Sequence, residues 1–101
     1  MNDDTFTFEA IVWEDTGGHA PMRFLDVPPA VADEIEATYG HRAAGFGSIK
    51  VEVAIGGSTW STSLFPSDAR KTYVLPVKKP VRQKERIDDG DTVAVRLTVT
   101  V

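Results

Sequence analysis

Two alternating apolar runs joined by a pair of glycines constrain the fold of this chain more than any other feature. In SIKVEVAI, residues 48–55, and in STWSTSLF, residues 58–65, apolar side chains recur at every second position, which is the period of a half-buried strand. Gly56 and Gly57 between the runs are able to adopt the positive φ angles of a two-residue hairpin turn. The stretch therefore predicts a β-hairpin.

The register across that turn is self-consistent, because it brings apolar residues of both strands onto one face. The predicted pairs are Ile55 with Ser58, Val53 with Trp60, Val51 with Thr62, and Ile49 with Leu64. The opposite face of the second strand then carries Ser61, Ser63 and Phe65. One face of the hairpin is thus expected to be buried against other elements.

Four further segments have strand character. The predicted strands are residues 5–13, 22–27, 72–77 and 92–101. The last of them alternates strictly between valine or leucine and polar or small residues, and the first repeats aromatic residues with the same period. Residues 14–21, EDTGGHAP, have the composition of a turn.

A helix is predicted to begin at Pro28 and Pro29, because proline is tolerated in the first helical turn. Its apolar face is formed by Val31, Ile35 and Tyr39. We expect Gly40 to end it, and Asp26 to favour its positive N-terminal end.

A second short helix is predicted over residues 80–87, PVRQKERI, with Val81 and Ile87 as its main apolar contributions. Two helices this short cannot cover six strands, so the sheet is expected to close on itself. The prediction is an all-β fold, a closed or nearly closed six-stranded barrel formed by a single domain, residues 1–101. The expected interior residues are Phe8, Val51, Val53, Leu75, Val95 and Leu97. No internal repeat is recognisable in the sequence.

Composition limits the chemistry. The chain contains no cysteine, so a disulfide framework, a thiolate nucleophile and a cysteine-based metal site are excluded. The first residues are acidic where a signal peptide is basic, and no apolar run approaches the length of a membrane span. We therefore expect a soluble, cytoplasmic protein that does not enter the membrane.

Charge is distributed unevenly along the chain. Residues 1–40 carry nine acids and one arginine, a net charge of −8, whereas residues 41–101 carry six acids and ten cations, a net charge of +4. Such a division is able to orient a charged partner. It is equally explained by an acidic first half that folds against a basic second half, and we favour this second interpretation.

Five of the eleven cations lie within residues 78–86, here called the basic segment. As a site, Lys78, Lys79 and Arg82, with Arg42 as a further candidate, would bind an anionic ligand or an acidic protein surface. The alternative is a solvated helix whose cations complement the acidic turn of Asp88, Asp89 and Asp91.

The sequence also resembles a bacterial family known as a domain of unknown function, whose members occur alone or fused ahead of a bacteriocin-protection domain. The residues that carry the resemblance are FEAIV (8–12), VPPAV (27–31), GSIKV (47–51), IGG (55–57), Trp60, TSLFP (62–66), YVLPVKK (73–79), VR (81–82) and GDTV (90–93). The resemblance implies a small six-stranded barrel, similar to the cradle-loop barrels that include AbrB-type DNA-binding regulators. It implies no activity.

Function is therefore predicted from the residues. We expect a non-enzymatic binding module without a cofactor or metal, and a monomer or weak homodimer. Nucleic-acid binding by analogy with the AbrB-type barrels is an alternative, although the pI near 5.0 is low for it. An enzyme that uses the hydroxyls of Ser61–Ser63 is a third, but neither a G-x-S-x-G turn nor a triad partner is recognisable.

Two histidines and two aromatic residues lie outside the patterns described above. His19 and His41 fall in predicted loops without the spacing of a helical metal pair. Trp13 lies outside the apolar face of its strand, and Phe46 lies between two glycines. Both aromatic residues either pack against helices or mark a binding surface.

Overall fold

The computed structural model describes residues 4–18 and 21–101. Its strands are β1 Thr5–Asp15, β2 Met22–Asp26, β3 Ile49–Ile55, β4 Ser58–Ser67, β5 Thr72–Pro76 and β6 Thr92–Val99. Its helices are α1 Pro29–Tyr39 and α2 Lys79–Glu85, with short 3₁₀ turns at Gly40–Arg42 and Gly45–Gly47. In the part of the chain that is described, neither α1 nor α2 is long and apolar enough to cross a membrane.

The six strands form a closed antiparallel barrel in the order β1-β2-β5-β4-β3-β6. This confirms the predicted all-β barrel. The predicted hairpin is also confirmed pair by pair, from Ile55 with Ser58 to Ile49 with Leu64. At its turn Gly56 has a φ angle of 58°, the positive value that the glycine pair was expected to supply.

The barrel consists of two similar halves. The path β1-β2-α1-β3 is repeated as β4-β5-α2-β6. Exchanging the two halves maps the pair β1–β2 onto β4–β5 and the pair β1–β6 onto β3–β4, while β2–β5 and β3–β6 are each mapped onto themselves. No repeat was predicted from the sequence. The structure shows that the repeat is one of chain path and strand pairing.

The core fills the barrel and extends beneath both helices. Its fully buried side chains include Val12, Leu25, Val27, Ile35, Ile49, Val51, Val53, Leu64, Leu75, Val77, Val95 and Leu97. Five of the six residues expected inside are buried, whereas Phe8 is only partly buried and packs against the edge of the core. Val51, Val53, Leu75, Val95 and Leu97 are the five.

Both helices differ in detail from the prediction. α1 buries Ala32, Ile35 and Tyr39, while Val31 is only partly buried. Gly40 does end α1, but with a φ angle of −54° it continues directly into a 3₁₀ turn instead of adopting a left-handed cap. Asp26 makes no side-chain hydrogen bond to the first turn of α1, and its carboxylate accepts hydrogen bonds from Arg70; its predicted electrostatic effect on the helix stays a prediction.

α2 begins one residue earlier than predicted and ends at Glu85. Arg86, expected within it, has a φ angle of 55° in the left-handed region. Among the strands, β1 and β4 are longer than predicted and the other revisions are of one or two residues at the ends. The predicted turn at residues 14–21 includes positions 19 and 20, which lie outside the described residues.

The helices occupy opposite ends of the barrel. At one end, Tyr39 of α1 donates a hydrogen bond to the carboxylate of Asp4, just before β1. At the other, Glu85 of α2 contacts the β3–β4 turn at Gly57. β3 runs from one of these ends to the other. It begins beside the last residues of the chain, where the Thr100 amide donates to the carbonyl of Lys50 at 2.9 Å, and it ends at the β3–β4 turn. We call the barrel end at the start of β3 the α1 end and the barrel end at the β3–β4 turn the α2 end.

Candidate functional site

α2 is fixed firmly against the barrel. Val81 on the helix and Ile87 just after it are buried in the core. Arg82 Nε donates a hydrogen bond to the carbonyl oxygen of Val77 at 3.0 Å, which ties the helix to the end of β5. Burial of two apolar side chains and this hydrogen bond hold the basic segment in one position.

Glu85 makes the second attachment. Its Oε2 accepts a hydrogen bond from the Ser58 hydroxyl at 2.6 Å, and its Oε1 accepts one from the Gly57 amide at 3.3 Å. The Ser58 hydrogen bond is the main cause that lowers the pKa of Glu85, because it stabilises the charged carboxylate. The only acid of the basic segment is thus directed toward the β3–β4 turn.

The cations of the basic segment remain on the surface. Lys78, Lys79, Lys84 and Arg86 are exposed, and Arg82 is partly buried. Across the described residues, no ion pair involves any of the five. Their charges are therefore able to act on a molecule outside the chain.

A shallow groove of about 360 Å³ lies between α2 and the start of β4. Lys78 and Lys84 border it on the helix side, and Thr59 and Trp60 border it on the strand side. Two ammonium groups and a hydroxyl around one depression suit an anionic group such as a phosphate or carboxylate.

Arg42 lies elsewhere. It belongs to the 3₁₀ turn after α1, where its guanidinium group is 6.0 Å from the ring centre of Tyr39. Its Nη1 also donates to the carbonyl oxygen of Val101 at 3.5 Å. The structure brings Lys78, Lys79 and Arg82 together at the α2 end and places Arg42 at the α1 end, so the four predicted residues do not form one surface.

Ion pairing between the acidic residues 1–40 and the basic residues 41–101 is limited. The described residues contain two ion pairs, Arg23 with Glu14 at 3.2 Å and Arg70 with Asp26 at 2.8 Å. The first pair lies within residues 1–40, and the second joins residues 1–40 to residues 41–101. Among the described residues, the expected neutralisation of acidic charge by the basic part of the sequence is therefore confined to one ion pair, which does not involve α2.

The hydroxyl groups of Ser61 and Ser63, part of the Ser61–Ser63 segment of the enzyme hypothesis, lie on the outer face of the β3–β4 hairpin. Ser61 pairs with Glu52, and Ser63 pairs with Lys50. His41 is in the 3₁₀ turn at the α1 end, and His19 lies outside the described residues. No group of three or more His, Cys, Asp or Glu side chains able to hold a metal ion occurs within the described residues.

One cluster was not anticipated from the sequence. The guanidinium group of Arg70 lies 4.2 Å from the ring centre of Trp13, and the indole of Trp13 donates to Asp26 at 2.9 Å. Arg70 donates to both carboxylate oxygens of Asp26, and Phe24 packs against Trp13 with ring centres 5.2 Å apart. The sequence places Trp13 outside the apolar face of its strand, but the residues that contact it are too distant in the chain for a local pattern to predict the cluster.

Phe46 is 99% exposed and has a φ angle of 61°, which is unusual for a residue with a side chain. Trp13 therefore packs against neighbouring side chains of the barrel, whereas the side chain of Phe46 projects into solvent.

These features define a class of protein: a small closed six-stranded antiparallel barrel with a basic helix fixed at one end. Residues 8–97 match the family model described as Domain of unknown function (DUF1905), and the chain belongs to this family. No match was found among curated proteins.

Proposed function

We propose that this protein is a non-enzymatic binding module that recognises an anionic ligand or an acidic protein surface through Lys78, Lys79 and Arg82. The observation that carries the proposal is the set of cations on α2 that have no ion pair among the described residues, although the helix itself is fixed to the barrel.

Rigidity of α2 supports this function. A flexible cationic loop loses conformational entropy when it binds, whereas a fixed helix has already lost it. Arg82 Nε already donates a hydrogen bond to the carbonyl oxygen of Val77, so Arg82 would bind a ligand through its two terminal amino groups, Nη1 and Nη2. Lys84, which borders the same groove as Lys78, extends the surface toward β4.

We place this activity in the cytoplasm, and we propose a monomer or weak homodimer. The absence of cysteine is consistent with a reducing compartment. Every strand of the barrel pairs with two neighbours over at least part of its length, so a dimer formed through a sheet edge has only short strand segments to pair with.

The proposal is tested by calorimetric titration at low salt with sodium tripolyphosphate and with a short poly-glutamate peptide. The double variant Lys78→Glu, Lys79→Glu should bind about tenfold more weakly or worse, since each reversed charge costs on the order of 1 kcal/mol near the surface. Added salt should weaken wild-type binding because exposed charges are screened.

The double charge reversal Arg42→Glu, Lys50→Glu is the matched control, because it changes the net charge by the same amount. It alters the cation at the α1 end and an exposed lysine on β3. This control should bind like the wild type. Equal losses in the two double variants would show that only net charge matters and would refute a site at α2. Tight, strongly salt-dependent binding to DNA with no response to either anionic probe would favour the nucleic-acid alternative instead.

A further inference from the structure

The first part of β1 pairs with another strand on one side only. Residues 5–11 pair with β6, whereas pairing with β2 begins at Val12, whose partner is Leu25. β2 ends at the next residue, Asp26. Residues 5–10 of β1 therefore extend past the end of β2 and have a side without a strand partner among residues 4–18 and 21–101, here called the free side.

Backbone alternation shows which groups face that free side. Val12 donates to the carbonyl of Asp91 at 2.9 Å and accepts from the amide of Gly90 at 2.7 Å, so its backbone groups point toward the β6 side. In an antiparallel ladder successive residues direct their N–H and C=O groups to opposite sides. Thr7 and Glu9 consequently direct theirs to the free side.

The equivalent strand of the second half is covered. Residues 58–64 of β4 likewise pair only with β3, because pairing with β5 begins at Phe65. α2 lies beside this segment, with Val81 buried. α1 packs instead mainly against β5 and the 3₁₀ turn that follows it. The two halves thus share a one-sided strand, but the helix of the second half packs more closely against it than α1 packs against β1.

A groove of about 440 Å³ accompanies the free side of β1. Its lining includes Glu9, Ile11 and Trp13 of β1 and, opposite them, Asp26, Pro28 and Arg70. Ile11 is 60% exposed there, which is unusual for a large aliphatic side chain on a sheet. Unpaired backbone groups, an exposed apolar side chain and a groove are the elements of a site for strand addition.

We propose that an extended cationic peptide segment of a partner protein adds to β1 as a further strand along residues 5–9, the segment that precedes pairing with β2. Glu9 is the charged residue of this segment, whereas Glu14, farther along β1, is already paired with Arg23. Arg70, the cation at the groove, is already bound by Asp26 at 2.8 Å. The added strand places an arginine or lysine opposite Glu9 and an apolar residue two positions away, opposite Thr7.

A second copy of this chain fits the site poorly. Because β1 contains no lysine or arginine, two β1 edges aligned with each other offer Glu9 no cation in any register. An antiparallel pair centred on Glu9 would even place the two carboxylates opposite each other, which is destabilising. The charge of the strand therefore favours a basic partner over self-association.

The test uses a capped eight-residue peptide that repeats Arg-Thr-Val-Thr twice, titrated into the ¹⁵N-labelled protein. In the proposed antiparallel arrangement, the first arginine lies opposite Glu9 and the valine two positions later lies opposite Thr7, and both direct their N–H groups to β1. Methylation of those backbone nitrogens should weaken binding at least about tenfold, since two or more hydrogen bonds are lost. Methylation of the threonine nitrogens should change it less than about twofold.

Matched variants test the side chains and the edge itself. Glu9→Gln should weaken binding about two- to fivefold, the range of a cross-strand ion pair. Glu52→Gln should have no effect, because Glu52 is exposed on β3 but paired on both sides, with Ser61 and Thr98. Thr7→Pro removes one free-side N–H without changing charge and should also weaken binding, provided that its amide spectrum shows a folded barrel.

Three results would overturn the proposal. Equal binding of both methylated peptides would show that simple charge attraction is responsible. Concentration-dependent shifts along residues 5–11 without peptide would show that a second copy occupies the edge. Absence of shifts there at about 1 mM peptide would show that no strand adds. The test is independent of the anion-binding surface, because the probe is cationic and the site is on a different strand.

Discussion

The two helices occupy equivalent positions in the repeated chain path, yet their surfaces have opposite charge. α1 exposes Asp33, Glu34 and Glu36 and carries no lysine or arginine. The basic segment with α2 exposes four cations, and its only acid is hydrogen-bonded to the β3–β4 turn. The uneven charge seen along the sequence thus appears in the fold as a difference between the two ends of the barrel.

The helices also differ in how they stabilise the barrel. α1 has eleven residues and buries three of them, whereas α2 has seven and buries one. α2 depends more on polar attachments, through Arg82 and Glu85. α1 therefore contributes more to the hydrophobic core, whereas α2 is attached to the barrel surface with most of its side chains exposed. An exposed helix held in a fixed position is compatible with a role in binding.

The largest expected effect separates the helices by stability. Ile35→Ala in α1 should destabilise the protein by about 3 kcal/mol, because Ile35 is completely buried. Val81→Ala in α2 should cost about 1.5 kcal/mol, since fewer methyl groups are removed. Urea denaturation measures both. A cost for Val81→Ala as large as that for Ile35→Ala would show that α2 is as much a part of the core as α1.

A second substitution examines the attachment of α2. Gly56→Ala should destabilise the protein by at least about 1 kcal/mol, because its φ angle of 58° is left-handed. The added Cβ would also overlap the Glu85 carboxylate and displace it. Gly45→Ala is the control, since nothing lies within 4 Å of its Cβ position and its φ angle is not in that region. If both variants have the same thermal midpoint, the turn does not support α2.

A smaller, pH-dependent effect should arise from Ser58. The pKa of folded Glu85 lies below its ordinary value, so its contribution to stability is present above the ordinary pKa and is lost as pH falls through the lowered one. Ser58→Ala removes the main cause of this shift. The stability difference between wild type and variant should therefore shrink from pH 7 to about pH 3.

Thr59→Ala is the matched control for that measurement, because Thr59 is the exposed neighbour of Ser58. Its urea midpoint should differ from the wild type by the same amount at both pH values. A pH-dependent difference for Thr59→Ala alone would contradict the assignment of the effect to Glu85.

Local features of this fold were predictable and non-local ones were not. The β3–β4 register followed from alternation and the Gly56-Gly57 turn, because the paired residues are neighbours along the chain. Closure through β1–β6, β2–β5 and β3–β6 joins distant segments, and the placement of Arg42 and Lys78 at opposite ends becomes visible only in the closed barrel. On α1, Val31 and Ala32 both fit helical spacing with Ile35, so only packing shows that Ala32 is the buried one.

The candidate site shows the same limit. The concentration of cations at residues 78–86 is visible in the sequence. The hydrogen bond from Arg82 to Val77, five residues earlier, is set by the geometry of the turn into α2, and the contact of Glu85 with the β3–β4 turn joins segments that are distant in the chain. The stack of Arg70 on Trp13 is likewise formed by residues of β1 and of the β4–β5 loop, which no local pattern connects.

The most direct test of the binding proposal is an amide NMR titration of the ¹⁵N-labelled protein with sodium tripolyphosphate at low salt. We expect shifts at residues 78–86 and at residues 57–60 across the groove, reversed by added salt, with Arg42 unaffected. Shifts distributed equally over Arg42, Lys50 and Lys71, or no shifts at the α2 end, would contradict it.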